Sequence, residues 1–131
     1  MNVLRHRPGV RFDHIAPAGF RILSALDQAT DACQTDLAIT SGTDSHTAGA
    51  HPGGEAYDVS VLGLSADTIE AVYVFLKQTL GPLFTVLYEV PTSPSDPTLR
   101  PIAYINAAAT GPHFHIQKGR GTTFPPAVVV A

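Results

Sequence analysis

Two stretches of the chain place apolar residues at every third or fourth position, which is the period of a helix with one buried face. The first helix is predicted to begin at Pro17, because a proline at the first helical position loses no hydrogen bond, and to end near Gln34. The second follows Ser65, an N-cap residue, and stops at Gly81 and Pro82. Their apolar stripes consist of Ile22, Leu23, Leu26, Ala29 and Cys33, and of Ile69, Val72, Tyr73, Leu76 and Leu80.

Alternating apolar and polar positions predict short strands at residues 56–61 and 113–117, and residues 37–40, 84–89 and 100–105 are also interpreted as short strands. In the strand at 56–61 this period places Asp58 on the same face as Ala56 and Ser60, and in the last strand it places His113 and His115 together, opposite Phe114. One face of the sheet is therefore expected to be core. The element order predicts an α+β domain whose helices cover one face of a mostly antiparallel sheet, with a metal site on the other face.

At 131 residues the chain is expected to form one domain, 1–131, with a single core. Residues 1–16 show no clear period and are predicted to be an extended N-terminal arm. Residues 91–104 combine turn-forming residues with a short returning strand, which predicts an inserted hairpin. Residues 119–131 form a C-terminal tail that either lies along the domain or makes an oligomer contact; the sequence leaves the oligomeric state open.

The composition limits the kinds of molecule that the protein is expected to bind. A net charge of -3, with 44% hydrophobic and 15% charged residues, is ordinary for a soluble globular protein and argues against nucleic acid as the main partner. The basic cluster near the start, Arg5, Arg7 and Arg11, is interpreted as part of a solvated arm. The single cysteine excludes an internal disulfide.

No apolar run is long enough to span a bilayer, and charged residues interrupt the first twenty positions where a signal peptide would be apolar. We therefore expect no membrane partner. The protein is expected to act in the cytoplasm, or to leave a bacterial cell by a route without a signal peptide, such as phage lysis.

The candidate chemistry lies in two short runs, TSGTDSHTAGAHPGGEAYD at 40–58 and GPHFH at 111–115. His51 and Asp58 bracket a turn in which Gly53 and Gly54 permit tight reversal of the chain. Zinc binds imidazole nitrogen and carboxylate oxygen, and a catalytic zinc site uses three protein ligands so that a fourth position can hold water. The sequence therefore predicts a zinc site made of His51, Asp58 and His115.

These residues also resemble a known family. His51-x-x-Gly54-x-Ala56-x-Asp58 is similar to the HxxGxAxD signature of the zinc D-alanyl-D-alanine carboxypeptidases, a family that includes phage cell-wall endopeptidases and D-Ala-D-Ala dipeptidases and shares its fold with the hedgehog signalling domain. Residues 37–42 resemble the strand and Thr-Ser-Gly turn of that family, and residues 113–115 resemble its closing HxH. The resemblance implies the same three zinc ligands and a peptide substrate derived from peptidoglycan.

The general base of the family usually precedes the last ligand by a few residues, where this chain has Ala109 and Pro112. Residues 84–89 resemble the family strand that ends in an aromatic residue and a glutamate, so the resemblance implies that Glu89 is the general base, displaced along the sequence by the inserted hairpin. It implies that Glu89 takes a proton from a zinc-activated water and passes it to the leaving amine, while His113 stabilises the developing oxyanion.

Many members of the family carry a substrate-binding arginine just after the Ser-Gly turn, where this chain has Thr43 and Asp44. Arg100, Lys118 or His113 is expected to take over its work, and Ser41 and His46 are candidate substrate-binding residues beside the cleft, although a loop histidine such as His46 is more often solvated. The missing arginine also fits an alternative, a zinc-binding module that recognises cell-wall peptide or a protein partner without cutting it. A third reading is a structural domain of a phage particle or secretion apparatus.

Overall fold

A computed structural model describes residues 2–43, 51 and 53–119 of the chain. In these ranges the protein has two helices and six strands that form one sheet. In chain order the elements are β1 (Leu4–His6), α1 (Pro17–Ala32), β2 (Leu37–Ser41), β3 (Ala56–Ser60), α2 (Ala66–Leu80), β4 (Phe84–Val90), a 3-10 turn (Arg100–Ile102), β5 (Ala103–Ile105) and β6 (His113–Lys118).

Both helices begin where local chemistry predicts. Pro17 is the first residue of α1, and the Ser65 hydroxyl accepts a hydrogen bond of 3.2 Å from the backbone N–H of Thr68 at the start of α2. Gly81, with φ of +77°, ends α2. Helix α1 ends at Ala32, close to the predicted Gln34, which itself has positive φ and so lies outside the helix.

The sheet has the strand order β1-β2-β3-β6-β4-β5. The four central strands pair antiparallel, whereas β1 joins β2 in parallel and β5 joins β4 in parallel. The prediction of a mostly antiparallel sheet is therefore wrong, and the sheet is mixed. Parallel neighbours require a long crossover, which α1 with its flanking loops provides at one edge and residues 91–102 provide at the other.

Two further predictions need correction at these same edges. Residues 91–104 do not form a hairpin, because the strand that follows the turn-rich loop, β5, runs parallel to β4. Residues 1–16 were predicted to be an extended arm, but this segment contains a strand of the sheet, because Leu4–His6 pairs with β2 as strand β1. Both edge strands are only three residues long; β1 is too short to show a period in the sequence, whereas β5 lies within the strand predicted at residues 100–105.

The two faces of the sheet differ sharply. On one face Tyr57, Val59, Phe114 and Ile116 are fully buried and form one apolar cluster with the buried residues of both helices. The alternate positions of the same strands, which include Asp58, His113 and His115, lie on the other face and are half-buried. The predicted α+β class is confirmed, and no helix in the described ranges is both long enough and apolar enough to cross a membrane.

Candidate metal centre

Three side chains that are distant in sequence converge on the face of the sheet opposite the helices. His51, Asp58 and His115 each offer one ligand atom, and these atoms all lie within 4.8 Å of one another. Oδ1 of Asp58 lies 2.8 Å from Nδ1 of His115 and 3.6 Å from Nε2 of His51. The structure thus brings together the three residues that the sequence predicted as ligands.

The register of the central strands places two members of this group side by side. Asp58 on β3 lies directly opposite His115 on β6. Because directly opposite residues of an antiparallel pair point to the same face, the carboxylate and the imidazole meet without a loop having to position either of them. The hydrogen bond between them is a consequence of this pairing.

His51 reaches the group from the loop between β2 and β3, and its side chain is nearly fully buried. Its Nδ1 donates to the backbone carbonyl oxygen of Gly42 at 3.2 Å, because a carbonyl can only accept. The proton of the ring is thereby held on Nδ1, and Nε2 is the nitrogen that faces Asp58.

The glycine of the HxxGxAxD run has a steric function in this loop. Gly54 adopts φ of +70°, which favours glycine, and a Cβ atom at this position would collide with the carbonyl oxygen of His14. Its backbone N–H donates to the carbonyl of His51 at 3.0 Å, and its own carbonyl accepts from the N–H of Ala16. Gly54 therefore closes the turn that carries His51 and attaches it to the start of α1.

Hydrogen bonding sets the charge of the group in the metal-free protein. Burial favours protonated Asp58, but the hydrogen bond from His115 and the proximity of the His51 ring outweigh burial and hold the pKa of Asp58 well below its usual value. Burial likewise favours neutral His115, yet bonds to Asp58 and to Oε1 of Gln117, at 2.7 Å, raise the pKa of His115. Both ring nitrogens of His115 therefore face acceptors.

The donor set fits a divalent transition metal. Bonds of about 2.0–2.1 Å in a tetrahedral site place ligand atoms roughly 3.3–3.4 Å apart, a value bracketed by the separations of 2.8 and 3.6 Å around Oδ1 of Asp58. Two imidazoles and one carboxylate are a typical ligand set for zinc that leaves one coordination position open.

No family model, curated protein sequence or solved structure matches this chain. The functional assignment therefore depends on the geometry of this site and on the short motifs in the sequence.

A second pair of side chains lies beside the metal-binding group. Nε2 of His113 lies 2.8 Å from Oε1 of Glu89, and 3.9 Å from Oδ1 of Asp58. The other ring nitrogen of His113 donates to the carbonyl of Gly111 at 2.9 Å, and the second oxygen of Glu89 accepts from the side-chain amide of Asn106 at 3.0 Å. Both carboxylate oxygens of Glu89 are therefore engaged, one by His113 and the other by Asn106.

One residue of the metal-binding group, Asp58, and one residue of the second pair, His113, line a cleft of about 410 Å³. Ser41, a predicted substrate-binding residue, also lies in its lining. The other lining residues are Arg7, Thr40, Ser60, Thr110, Gly111 and Pro112.

The remaining candidates for substrate binding are not brought to this cleft. The guanidinium of Arg100 donates to the carbonyl oxygens of Pro94 and Ser95 in its own loop, and Lys118 pairs with Glu55 at 3.0 Å. Neither cation lines the cleft. His46 lies outside the described residues.

Two functional candidates were missed by sequence reasoning. Gln117 follows His115 by two positions, so the strand period already placed both on one face, and this signal was available. Asn106 lies just after β5; a strand was predicted at residues 100–105, but nothing in the local sequence indicates its parallel register with β4, which brings Asn106 to Glu89.

Proposed function

We propose that this protein is a zinc-dependent peptidase that hydrolyses peptidoglycan stem peptides or D-Ala-D-Ala-type peptides. The observation that carries the proposal is the placement of the Glu89–His113 pair beside the group formed by His51, Asp58 and His115, with one residue of each, His113 and Asp58, in the lining of one cleft. A metal group alone would also suit a structural zinc, which normally has four protein ligands. Three ligands beside a carboxylate–imidazole pair favour catalysis.

His51, Asp58 and His115 would hold the zinc ion. When bound, zinc would supply Lewis-acid chemistry, polarising the scissile carbonyl and lowering the pKa of a water molecule towards about 7. Asp58 would balance one unit of the metal charge, and the hydrogen bonds that fix the rings of His51 and His115 would pre-orient both ligands.

Glu89 and His113 would manage the proton. Nδ1 of His113 carries a proton because it faces the carbonyl of Gly111, so the 2.8 Å contact between Nε2 and Glu89 contains a second proton. In this proposal that proton stays on Nε2 of His113 when Oε1 of Glu89 turns to the attacking water, and Oε1 then accepts a proton from the water and returns it to the leaving amine. Asn106 holds the other carboxylate oxygen and so limits rotation of the carboxylate.

His113 has a second task in this proposal. When Glu89 is engaged with water, the Nε2–H of His113 becomes available to a negatively charged oxygen near the metal group, since Nε2 lies 3.9 Å from Asp58. A donor placed in this way stabilises the oxyanion that forms when a peptide carbonyl is attacked.

The proposed substrate class depends on the sequence signature from His51 to Asp58 and on the polar lining of the cleft. Serine and threonine hydroxyls and the backbone groups of residues 110–112 in the lining offer both donors and acceptors, as an extended peptide requires. The cleft lies at the lower end of the roughly 300–1,000 Å³ typical of small-ligand sites, which suits a peptide of two or three residues better than a folded partner.

The test is to purify the protein, count bound zinc, and assay the wild type on peptidoglycan fragments and on D-Ala-D-Ala beside Glu89→Gln. A matched control is Glu55→Gln, which makes the same change at a carboxylate that pairs with Lys118. We expect zinc in all three proteins and turnover in the wild type and the control, with a loss of about 10²–10⁴-fold in Glu89→Gln.

Zinc without turnover in the wild type would reject the peptidase and favour the non-catalytic zinc-binding module. Absence of zinc would reject the metal site itself. A protein that unfolds on chelation would instead support a structural role for the metal, because a structural zinc contributes directly to the free energy of folding.

A further inference from the structure

Three arginines near the start of the chain have different surroundings. Arg5 pairs with Asp36 at 2.8 Å and Arg11 pairs with Asp13 at 2.6 Å. The guanidinium of Arg7 makes no hydrogen bond or ion pair with any other residue in the described ranges. Arg7 is therefore the member of this basic cluster whose charge has no partner within that part of the protein.

Arg7 lies at the cleft because strand β1 joins the sheet. Its backbone N–H donates to the carbonyl of Ile39 at 3.0 Å, which extends the parallel pairing with β2 by one residue. The side chain lines the same cleft as Asp58 and His113, with Thr40 and Ser41 of β2 also in the lining. The position of the arginine is thus set by the sheet, not by a free arm.

The charge balance of the cleft favours an anionic ligand. Within the described residues, Asp58 and Glu89 are the carboxylates of the site, and each is already engaged by histidine. A bound divalent cation would offset both carboxylates, which leaves the exposed residue Arg7 as an uncompensated positive charge in the lining of the cleft in that part of the chain. The planar guanidinium binds a carboxylate through two parallel N–H bonds, and nearby hydroxyls add further donors.

We propose that Arg7 binds the terminal carboxylate of the substrate, so that the site selects peptides whose free α-carboxylate lies within one or two residues of the cleaved bond. This inference rests on the proposed function and narrows it, because an enzyme of this kind removes residues from a peptide end and does not cut within a cross-linked chain. The small volume of the cleft agrees with a short leaving group.

The experiment measures binding, so that it does not depend on turnover. Zinc-loaded Glu89→Gln protein is titrated calorimetrically with acetyl-Lys-D-Ala-D-Ala as the free acid and as the C-terminal amide. The same titrations follow with Arg7→Gln and Arg7→Lys added to that background. Arg5→Gln is the matched control, since it changes an arginine two residues earlier, on β1, that pairs with Asp36. Zinc content and melting temperature are measured for every variant.

We expect the acid to bind about tenfold or more tightly than the amide, as a charge-assisted pair provides. Arg7→Gln should abolish this preference by weakening the acid alone, Arg7→Lys should restore part of it, and Arg5→Gln should leave it unchanged. Equal binding of acid and amide, or a preference that survives in Arg7→Gln, would overturn the inference while leaving the peptidase untouched. Binding of neither peptide would also overturn it. Preferential binding of the acid with no turnover by the wild type would support the role of Arg7 and reject the peptidase.

Discussion

Nε2 of His113 lies 2.8 Å from Oε1 of Glu89, and the two residues face each other across the antiparallel pair of β6 and β4. Two positions further along β6, His115 faces Asp58 on the opposite neighbour, β3. The two histidines of one HxH run are therefore divided between two carboxylates on different strands. One carboxylate belongs to the candidate metal-binding group, and the other belongs to the pair that we propose manages the proton.

This division predicts different losses for the two histidines. Both side chains are about equally exposed, at 19% and 18%, so each alanine substitution removes a comparable contact. His115→Ala should weaken zinc binding by more than about 100-fold, because a first ligand contributes more than the outer partners, which contribute 10–100-fold. His113→Ala should retain zinc within a few-fold and lower kcat by about 10²–10³-fold. Equal loss of zinc in both variants, measured by competition with a chromophoric chelator, would contradict the division.

Gln117 is predicted to increase zinc affinity without being a metal ligand itself. Its Oε1 lies 2.7 Å from Nε2 of His115 and holds the proton there, which leaves Nδ1 as the ligand atom. Gln117→Leu should lower zinc affinity by roughly 10–100-fold. Thr85→Val is the comparison, because Thr85 lies opposite Gln117 on β4 and the change also replaces a polar side chain by an apolar one. An unchanged zinc affinity in Gln117→Leu would show that the strand alone orients His115.

Gly54 should be far less tolerant of a side chain than another glycine with similar backbone conformation. Gly54 and Gly63 have φ of +70° and +81°, but a Cβ at Gly63 would meet nothing within 4 Å, whereas one at Gly54 would collide with the His14 carbonyl. Gly63→Ala should cost only about 1–2 kcal/mol for the left-handed conformation. Gly54→Ala should lower the free energy of unfolding by more than this in urea titrations, and should also weaken zinc binding by displacing His51. Equal effects of both changes would remove the steric argument.

The zinc-free protein should show a pH-dependent contribution from the Asp58–His115 pair. The lowered pKa of Asp58 adds stability above its usual value of 3.8, and this is lost as the pH falls. The raised pKa of His115 adds stability below its usual value of 6.5, and this is lost as the pH rises through the folded-state pKa. The pair therefore contributes most between about pH 4 and pH 6.5.

The measurement is the difference in unfolding free energy between chelated wild type and Asp58→Asn from pH 3 to pH 9. We expect this difference to be largest in the window between the two usual pKa values and to shrink on both sides. A difference that does not vary with pH would show that Asp58 contributes through packing and not through charge.

Local signals predicted both helices and the central strands well. Pro17 and Ser65 start helices for local reasons, because the N–H groups of a first helical turn have no partner inside the helix. Pro17 has no N–H that would need a partner, and the Ser65 hydroxyl accepts a hydrogen bond from the N–H three residues later. The alternation in residues 56–60 and 113–118 is likewise local, since successive side chains of a strand point to opposite faces. Strand β1 escaped prediction, and the parallel pairing of both edge strands was missed because it joins segments that short-range patterns do not connect.

The sequence by itself determined which residue types share a face of the sheet, and that a glycine turn carries His51 back towards Asp58. The tertiary structure alone decided which carboxylate each histidine meets, that Asn106 supports Glu89, and that Arg7 lines the cleft while Arg100 does not. The physical reason is that a face is set by the two-residue period of one strand, whereas partners are set by the order and register of strands distant in sequence. That register depends on the packing of both helices against the whole buried face.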